Sequence, residues 1–213
     1  MKFTFDWRCK ATSTVLAAAL AAWGCAALAP KADHYVPPPI GSTWVSLQHN
    51  TGSFGSGNAT VPGKRGERVW HGEKVVTFEG PEGTLVARLD GDWAAVVRGD
   101  TPIVSWNPPL NWDWPLEVGK TWTKSSSITI HAAKRTIPFS YTGKVEAYED
   151  VTVPAGTFKA FRVHQTNTLG EEETNWLSPE LGIFIKRHMV RTAKSASGPG
   201  TRDVELASQN ILK

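Results

Sequence analysis

Thiol chemistry is almost absent from this 213-residue chain, whose only cysteines are Cys9 and Cys25. Both fall near the N-terminus, so the bulk of the sequence has no disulfide, no thiolate metal ligand and no cysteine nucleophile. Long apolar runs are equally scarce. The one of note, residues 15–22, is shorter than the ~20 residues a membrane-spanning helix needs. Neither sign of charge is in excess: 23 Lys and Arg face 20 Asp and Glu, for a formal +3. Part of that surplus sits in the first ten residues, which argues against a nucleic-acid partner. Helical periodicity is missing from residue 41 onward.

What is present begins with a leader. Lys2, Arg8 and Lys10 precede the apolar run, and small residues follow it, the layout of an export signal. Two cleavage points compete. Ala27-Leu28-Ala29 fits the small-x-small rule but is followed by Pro30, whereas Ala22-Trp23-Gly24-Cys25 resembles a lipobox through Gly24 and Cys25. The lipobox is favoured, although Ala22 and Trp23 depart from its usual pattern. Cys25 is therefore the expected lipidation site, and the expected location is the periplasm, membrane-anchored. Residues 1–24 form the signal, residues 25–40 a proline-rich tether containing Pro37-Pro38-Pro39, and residues 41–213 a single all-β domain.

In that domain apolar residues recur with period two, and turn residues interrupt them at short intervals. Ile137, Phe139, Tyr141, Val145 and Ala147 share one parity, with Ser140, Thr142, Lys144 and Glu146 on the other. Val151-Thr-Val-Pro-Ala-Gly-Thr-Phe158 reads as strand, tight turn, strand, and Asp90-Gly91 is a second hairpin signal. Residues 51–62, rich in Gly, Ser and Asn, read as a mobile loop or a long hairpin connection, and residues 107–116, with three prolines, as irregular. The pattern predicts an antiparallel β-sandwich or a partly open β-barrel. A short echo, Gly41-Ser-Thr-Trp44 and Gly119-Lys-Thr-Trp122, marks two candidate related halves.

Trp114-Pro-Leu-Glu-Val-Gly-Lys-Thr-Trp122, Val153-Pro-Ala-Gly-Thr-Phe158 and Trp176-Leu-Ser-Pro-Glu-Leu-Gly-Ile-Phe-Ile-Lys186 occur in this order. In this they resemble a broad set of bacterial exported proteins and lipoproteins of unestablished function. The resemblance covers about the second half of the chain. It implies an all-β exported domain and carries no catalytic residues, because the motifs are turns and core positions.

Chemistry-bearing residues are dispersed. His49, His71, His131, His164 and His188 lack metal-ligand spacing, so no metal and no cofactor is expected. The run from Gly52 to Gly57 is neither a nucleophile elbow nor a phosphate loop, and Glu171-Glu172-Glu173 alternates faces on a strand. No catalytic residue is assigned. Two surfaces stand out. Trp106, Trp112 and Trp114 suit either glycan stacking or a plug at one end of the core. Lys186, Arg187 and Arg191, with Lys194, suit anionic lipid headgroups or simply a guarded strand edge. Phe139, Tyr141, Phe161, Ile183 and Ile185 suit a closed core or an acyl groove. The function expected is that of a non-enzymatic envelope lipoprotein binding a lipid, a glycan or a protein partner. The alternative is a hydrolase or glycan-acting enzyme whose site is assembled from distant loops.

Overall fold

The computed structural model describes residues 30–80 and 82–213. The leader, with Cys9 and Cys25, lies outside the described residues. The first strands are β1 (Lys31–Ala32), β2 (Thr43–Gly52), β3 (Gly57–Trp70), β4 (Glu73–Gly80), β5 (Gly83–Ala87), β6 (Trp93–Arg98) and β7 (Thr101–Leu110). The second group is β8 (Leu116–Glu117), β9 (Thr121–Ile130), β10 (Arg135–Val153), β11 (Gly156–Asn167), β12 (Glu171–Ser178), β13 (Ile183–Arg191) and β14 (Gly200–Asn210).

Twelve of these strands form one closed antiparallel barrel in the order β10-β11-β12-β13-β14-β2-β3-β4-β5-β6-β7-β9, while β1 and β8 pair separately. The all-β antiparallel prediction holds. Of its two arrangements the barrel is the one found, and its ring is closed because β10 pairs with β9 as well as β11. Closure leaves the large sheet no free edge to protect.

The ring is made of two like halves, β2 to β7 and β9 to β14. In each, a glycine with positive φ (Gly41, 86°; Gly119, 93°) leads into a Thr-Trp strand start. In each, the same two backbone bonds tie that start to the next strand. Gly41 N–H donates to Arg65 O and Arg65 N–H to Ser42 O; Gly119 N–H donates to Val145 O and Val145 N–H to Lys120 O. Trp44 pairs with Gly63 and Trp122 with Gly143, and each indole lies where a Cβ on its glycine would be. The short sequence echo is the visible end of a whole-domain repeat.

Two segments differ from expectation. Residues 51–62 are not a mobile loop: β2 and β3 remain paired as far as Asn50↔Gly57, and only a tight turn separates them. Residues 107–110 are strand despite Pro108 and Pro109, because the β7–β9 ladder ends at Asn107↔Ser127 and β7 meets β6 across an irregularity before Trp93↔Leu110. Proline is tolerated there because no ladder hydrogen bond is asked of it.

The main core gathers Trp112, Leu116, Trp122, Tyr141, Val145, Phe161, Val163 and Leu177 inside the second half. A bulge between Val145 and Ala147 redirects β10, so the β10–β11 arm folds over and Ala155 N–H donates to Leu206 O at 3.0 Å. Val151, Val153 and Ala160 on that arm pack with Ile183, Ile185 and Leu206. The first half has its own smaller cluster, Val75, Val86, Ala95 and Val97, with Trp70 against it. The outer wall carries polar cross-strand pairs such as Thr123–Thr142, Lys159–Asp150 and Lys186–Glu205. That is a hydrated exterior, unlike the apolar band of a lipid-embedded barrel.

The two tryptophan–glycine pairs set a graded test. Trp122 is buried, so Gly143→Ala overpacks the core and is expected to cost ~1–3 kcal/mol in urea unfolding. Trp44 is half-buried beside an internal cavity and can yield, so Gly63→Ala is expected to cost less. Equal losses at both positions would refute this account of the pairs.

Candidate functional site

Two straps, residues 30–42 and 111–120, precede the two halves and close the same end of the barrel. They pair with each other through Lys31↔Glu117 and Ala32↔Leu116, and Leu116 is fully buried. Residues 31–39, within the stretch expected to act as a tether, thus lie on the barrel. Tyr35 sits between the β5–β6 and β12–β13 turns. Its hydroxyl donates to Gly182 O at 2.9 Å, its ring is 6.1 Å from that of Trp114, and a Cβ on Gly91 would strike it. Trp112, also buried, donates from Nε1 to Gln165 Oε1 at 3.0 Å and lies 5.3 Å from the Phe184 ring. Asp113 on the second strap is clasped by Lys120 at 2.9 Å and Lys124 at 3.3 Å. The Lys120 hydrogen bond is the larger reason its carboxyl is held below the usual range. Burial pushes the Tyr35 phenol well above its ordinary value.

Beneath this cap lies a cavity of about 530 Å³. It reaches from Tyr35, Gly91 and Gly182 at the cap to Met189, Arg202 and Glu82 at the other end. Its two walls are the two halves, and at equivalent positions they differ in chemistry. One row across β10 to β13 is Val145, Val163, Asn175, Arg187; the matching row across β3 to β6 is Arg65, Phe78, Leu85, Val96. Where the second half pairs Gln165 with Glu173, the first pairs Gly80 with Gly83. The glycines leave space, and Phe78, Leu85, Val96 and Val61 line it with hydrocarbon.

Behind Arg187, the one member that lines the cavity, lies a polar cluster that is internally satisfied. Asn175, 1 % exposed, donates to Gln165 Oε1 at 3.1 Å and Glu173 Oε2 at 3.2 Å, and accepts from Arg187 Nε at 2.9 Å. Arg187 also donates to Glu173 at 3.1 Å. Toward the uncapped end, Arg202 pairs with Glu82 at 2.6 Å and bonds Asn50, and Arg191 pairs with Glu171 at 3.1 Å. Phe54, from the β2–β3 turn, lies between these guanidinium groups, 3.8 Å from Arg191 and 4.7 Å from Arg202.

The residues singled out from sequence are distributed as follows. Trp106, Trp112 and Trp114 all border the cavity and form no exposed row. The basic trio divides by strand alternation: Arg187 faces the cavity and Arg191 its uncapped end. Lys186 stays outside, paired with Glu205 and 5.7 Å from the Trp176 ring. Tyr141 and Phe161 are packed core beside the second strap and Ile185 is packed core against the β10–β11 arm, whereas Ile183 reaches both core and cavity. The groove wall missed from sequence is Val61, Phe78, Leu85 and Val96. Its signal was the pair Gly80 and Gly83, legible only once the halves are aligned. His188 bonds Asp203 at 2.6 Å and His131 bonds Ser105 at 2.9 Å, but neither pair borders the cavity. Among the described residues, no three His, Cys, Asp or Glu side chains gather around a common point.

No protein-family model matches the chain, and no curated protein matches it. Three solved bacterial structures show similarity. One is an exported protein with a YmcC-like fold from Bacteroides fragilis (13% identity, TM-score 0.46, covering 84% of this chain and 99% of that one). Another is the hypothetical lipoprotein YmcC from Escherichia coli (12%, 0.43, 82% and 87%). The third is described as a candidate lipoprotein from Parabacteroides distasonis (9%, 0.43, 84% and 99%).

The buried phenol gives the cap a pH signature. Its raised value means the stability it contributes is complete below the ordinary tyrosine pKa of ~10 and is lost as pH rises toward the folded value. The urea midpoint is therefore expected to fall above about pH 10. Tyr35→Phe should lower stability at neutral pH by ~1 kcal/mol through the lost Gly182 bond, and should flatten the alkaline decline. Tyr141, whose phenol burial also raises, accounts for the part that remains. An unchanged alkaline slope in Tyr35→Phe would show that the cap does not depend on this phenol.

Proposed function

We propose that this is a non-enzymatic protein of the cell envelope, anchored through Cys25, whose barrel holds an amphiphilic ligand of the lipid class. The carrying observation is the cavity of about 530 Å³, walled by hydrocarbon and aromatic side chains from both halves, with Arg187, Arg202 and Glu82 as its charged groups. Cavities of this size and lining suit a small, largely apolar ligand with a few polar groups to orient it. Hydrocarbon would lie against Val61, Phe78, Leu85 and Val96, with the polar end near Arg187 and Arg202. The position of the three tryptophans, Trp112 buried and Trp106 and Trp114 half-buried at the cavity border, supports a lipid over a glycan, since sugar stacking uses indoles presented on a surface. An enzymatic reading finds less support. The charged groups at the cavity, Arg187, Arg202 and Glu82, are held in ion pairs, and the histidine pairs lie elsewhere.

Organic extraction of the protein purified from native membranes, followed by mass spectrometry, tests both parts of this reading. A bound lipid is expected in the extract, and the protein is expected to begin at an acylated Cys25. A fluorescent fatty-acid probe should bind the purified protein and be displaced by unlabelled lipid. Val61→Phe, which fills the cavity from the apolar wall, should weaken it about tenfold while leaving the fold intact by circular dichroism. Probe affinity unchanged in a folded Val61→Phe would sink the lumenal site, and a mature chain beginning at Pro30 without acyl mass would end the anchor.

A further inference from the structure

Exposed apolar side chains are unevenly placed on this molecule. Among the described residues seven large hydrophobics remain exposed, and five of them, Val36, Ile40, Leu89, Val118 and Leu212, belong to the capped end. Val36 and Ile40 lie on the first strap, Val118 on the second, and Leu89 in the β5–β6 turn. Leu212 follows β14, where its backbone N–H donates to Ser42 Oγ at 3.1 Å. The exceptions are Leu47, halfway along β2 on the outer wall, and Val69, whose neighbour Arg68 donates to Gly99 O at 3.0 Å in the β6–β7 turn at the uncapped end. Single exposed hydrophobics need no explanation, but a rim of them on an otherwise hydrated barrel does.

The path of the chain names the occupant. Lys31, paired with Glu117 in the middle of the cap, is only six residues from Cys25. Six extended residues span at most ~20 Å. With Cys25 acylated, the premise this inference takes from the proposed function, the bilayer is held close to the capped end, and the apolar rim is what the barrel turns toward it.

We propose that the capped end is a membrane-docking face, with Val36, Ile40, Leu89, Val118 and Leu212 seated among the lipid headgroups. The anchor then sets orientation as well as location. The cap faces the lipid, and the uncapped end, with Phe54, Arg191 and Arg202, faces away from it. Nothing in this requires the lumen to be occupied.

Orientation can be read with single labels on the mature chain, residues 25–213, carrying Cys25→Ser. A polarity-sensitive fluorophore is attached at Leu89→Cys or Val118→Cys on the rim, at Leu47→Cys on the wall, or at Ala196→Cys in the loop at the far end. On vesicles of phosphatidylethanolamine and phosphatidylglycerol, emission from positions 89 and 118 should shift to the blue and rise severalfold, while positions 47 and 196 stay water-like. In the same background, Leu89→Glu with Val118→Glu should lower vesicle partitioning about tenfold, and Leu47→Glu should not change it. Blue shifts at position 196, at position 47, or at none of the four overturn the proposal, as does unchanged partitioning of the double variant. Rim labels already dehydrated without vesicles, in a chain that sediments as a dimer, would assign the face to a second copy and equally overturn it.

Discussion

An indole laid against a glycine, once in each half, governs how this barrel encloses its interior. Trp44 over Gly63 and Trp122 over Gly143 stand at matching points of two six-stranded halves, each locked by the same pair of backbone hydrogen bonds. A side chain at either glycine would push its indole away and with it the start of the strand. From these points the rows across each sheet are in register, and what fills the space between the halves follows from which residues occupy equivalent positions.

The second half spends those positions on packing and hydrogen bonding, the first half on space. Asn175, Gln165, Glu173 and Arg187 satisfy one another's hydrogen bonds within the second half. Opposite them Gly80, Gly83, Leu85 and Val96 offer volume and hydrocarbon. An interior mostly of hydrocarbon, with Arg187, Arg202 and Glu82 as its charged groups, would discriminate by orientation, because a molecule with two unlike ends fits in only one direction.

Much of the architecture was legible in the sequence. Period-two alternation, the Asp90-Gly91 turn and the Pro154-Ala155-Gly156 corner announce antiparallel strands, since each follows from local backbone chemistry. The echo around Trp44 and Trp122 announces two halves. The lumen was not legible, because a residue lining a cavity and a residue filling a core obey the same alternation: Phe78 borders space while Phe161 is packed solid. Nor were the straps. Residues 30–42 hold too few regular pairs to leave a periodic signal, and their docking depends on Gly91 and Gly182, distant in sequence. Prolines misled at Pro108 and Pro109, where an interrupted ladder makes no demand on the missing N–H.

The two seams that join the halves are unequal. β14 and β2 pair from Gly200↔Gly52 to Asn210↔Thr43 with one bulge between Leu206 and Ser208, whereas β7 and β9 hold only from Val104↔Ile130 to Asn107↔Ser127. Ladder bonds are what resist lateral parting of strands, so the wall has a strong suture on one side and a weak one on the other. Of the two seams between the halves, the short one beside Trp106 is the one expected to part first.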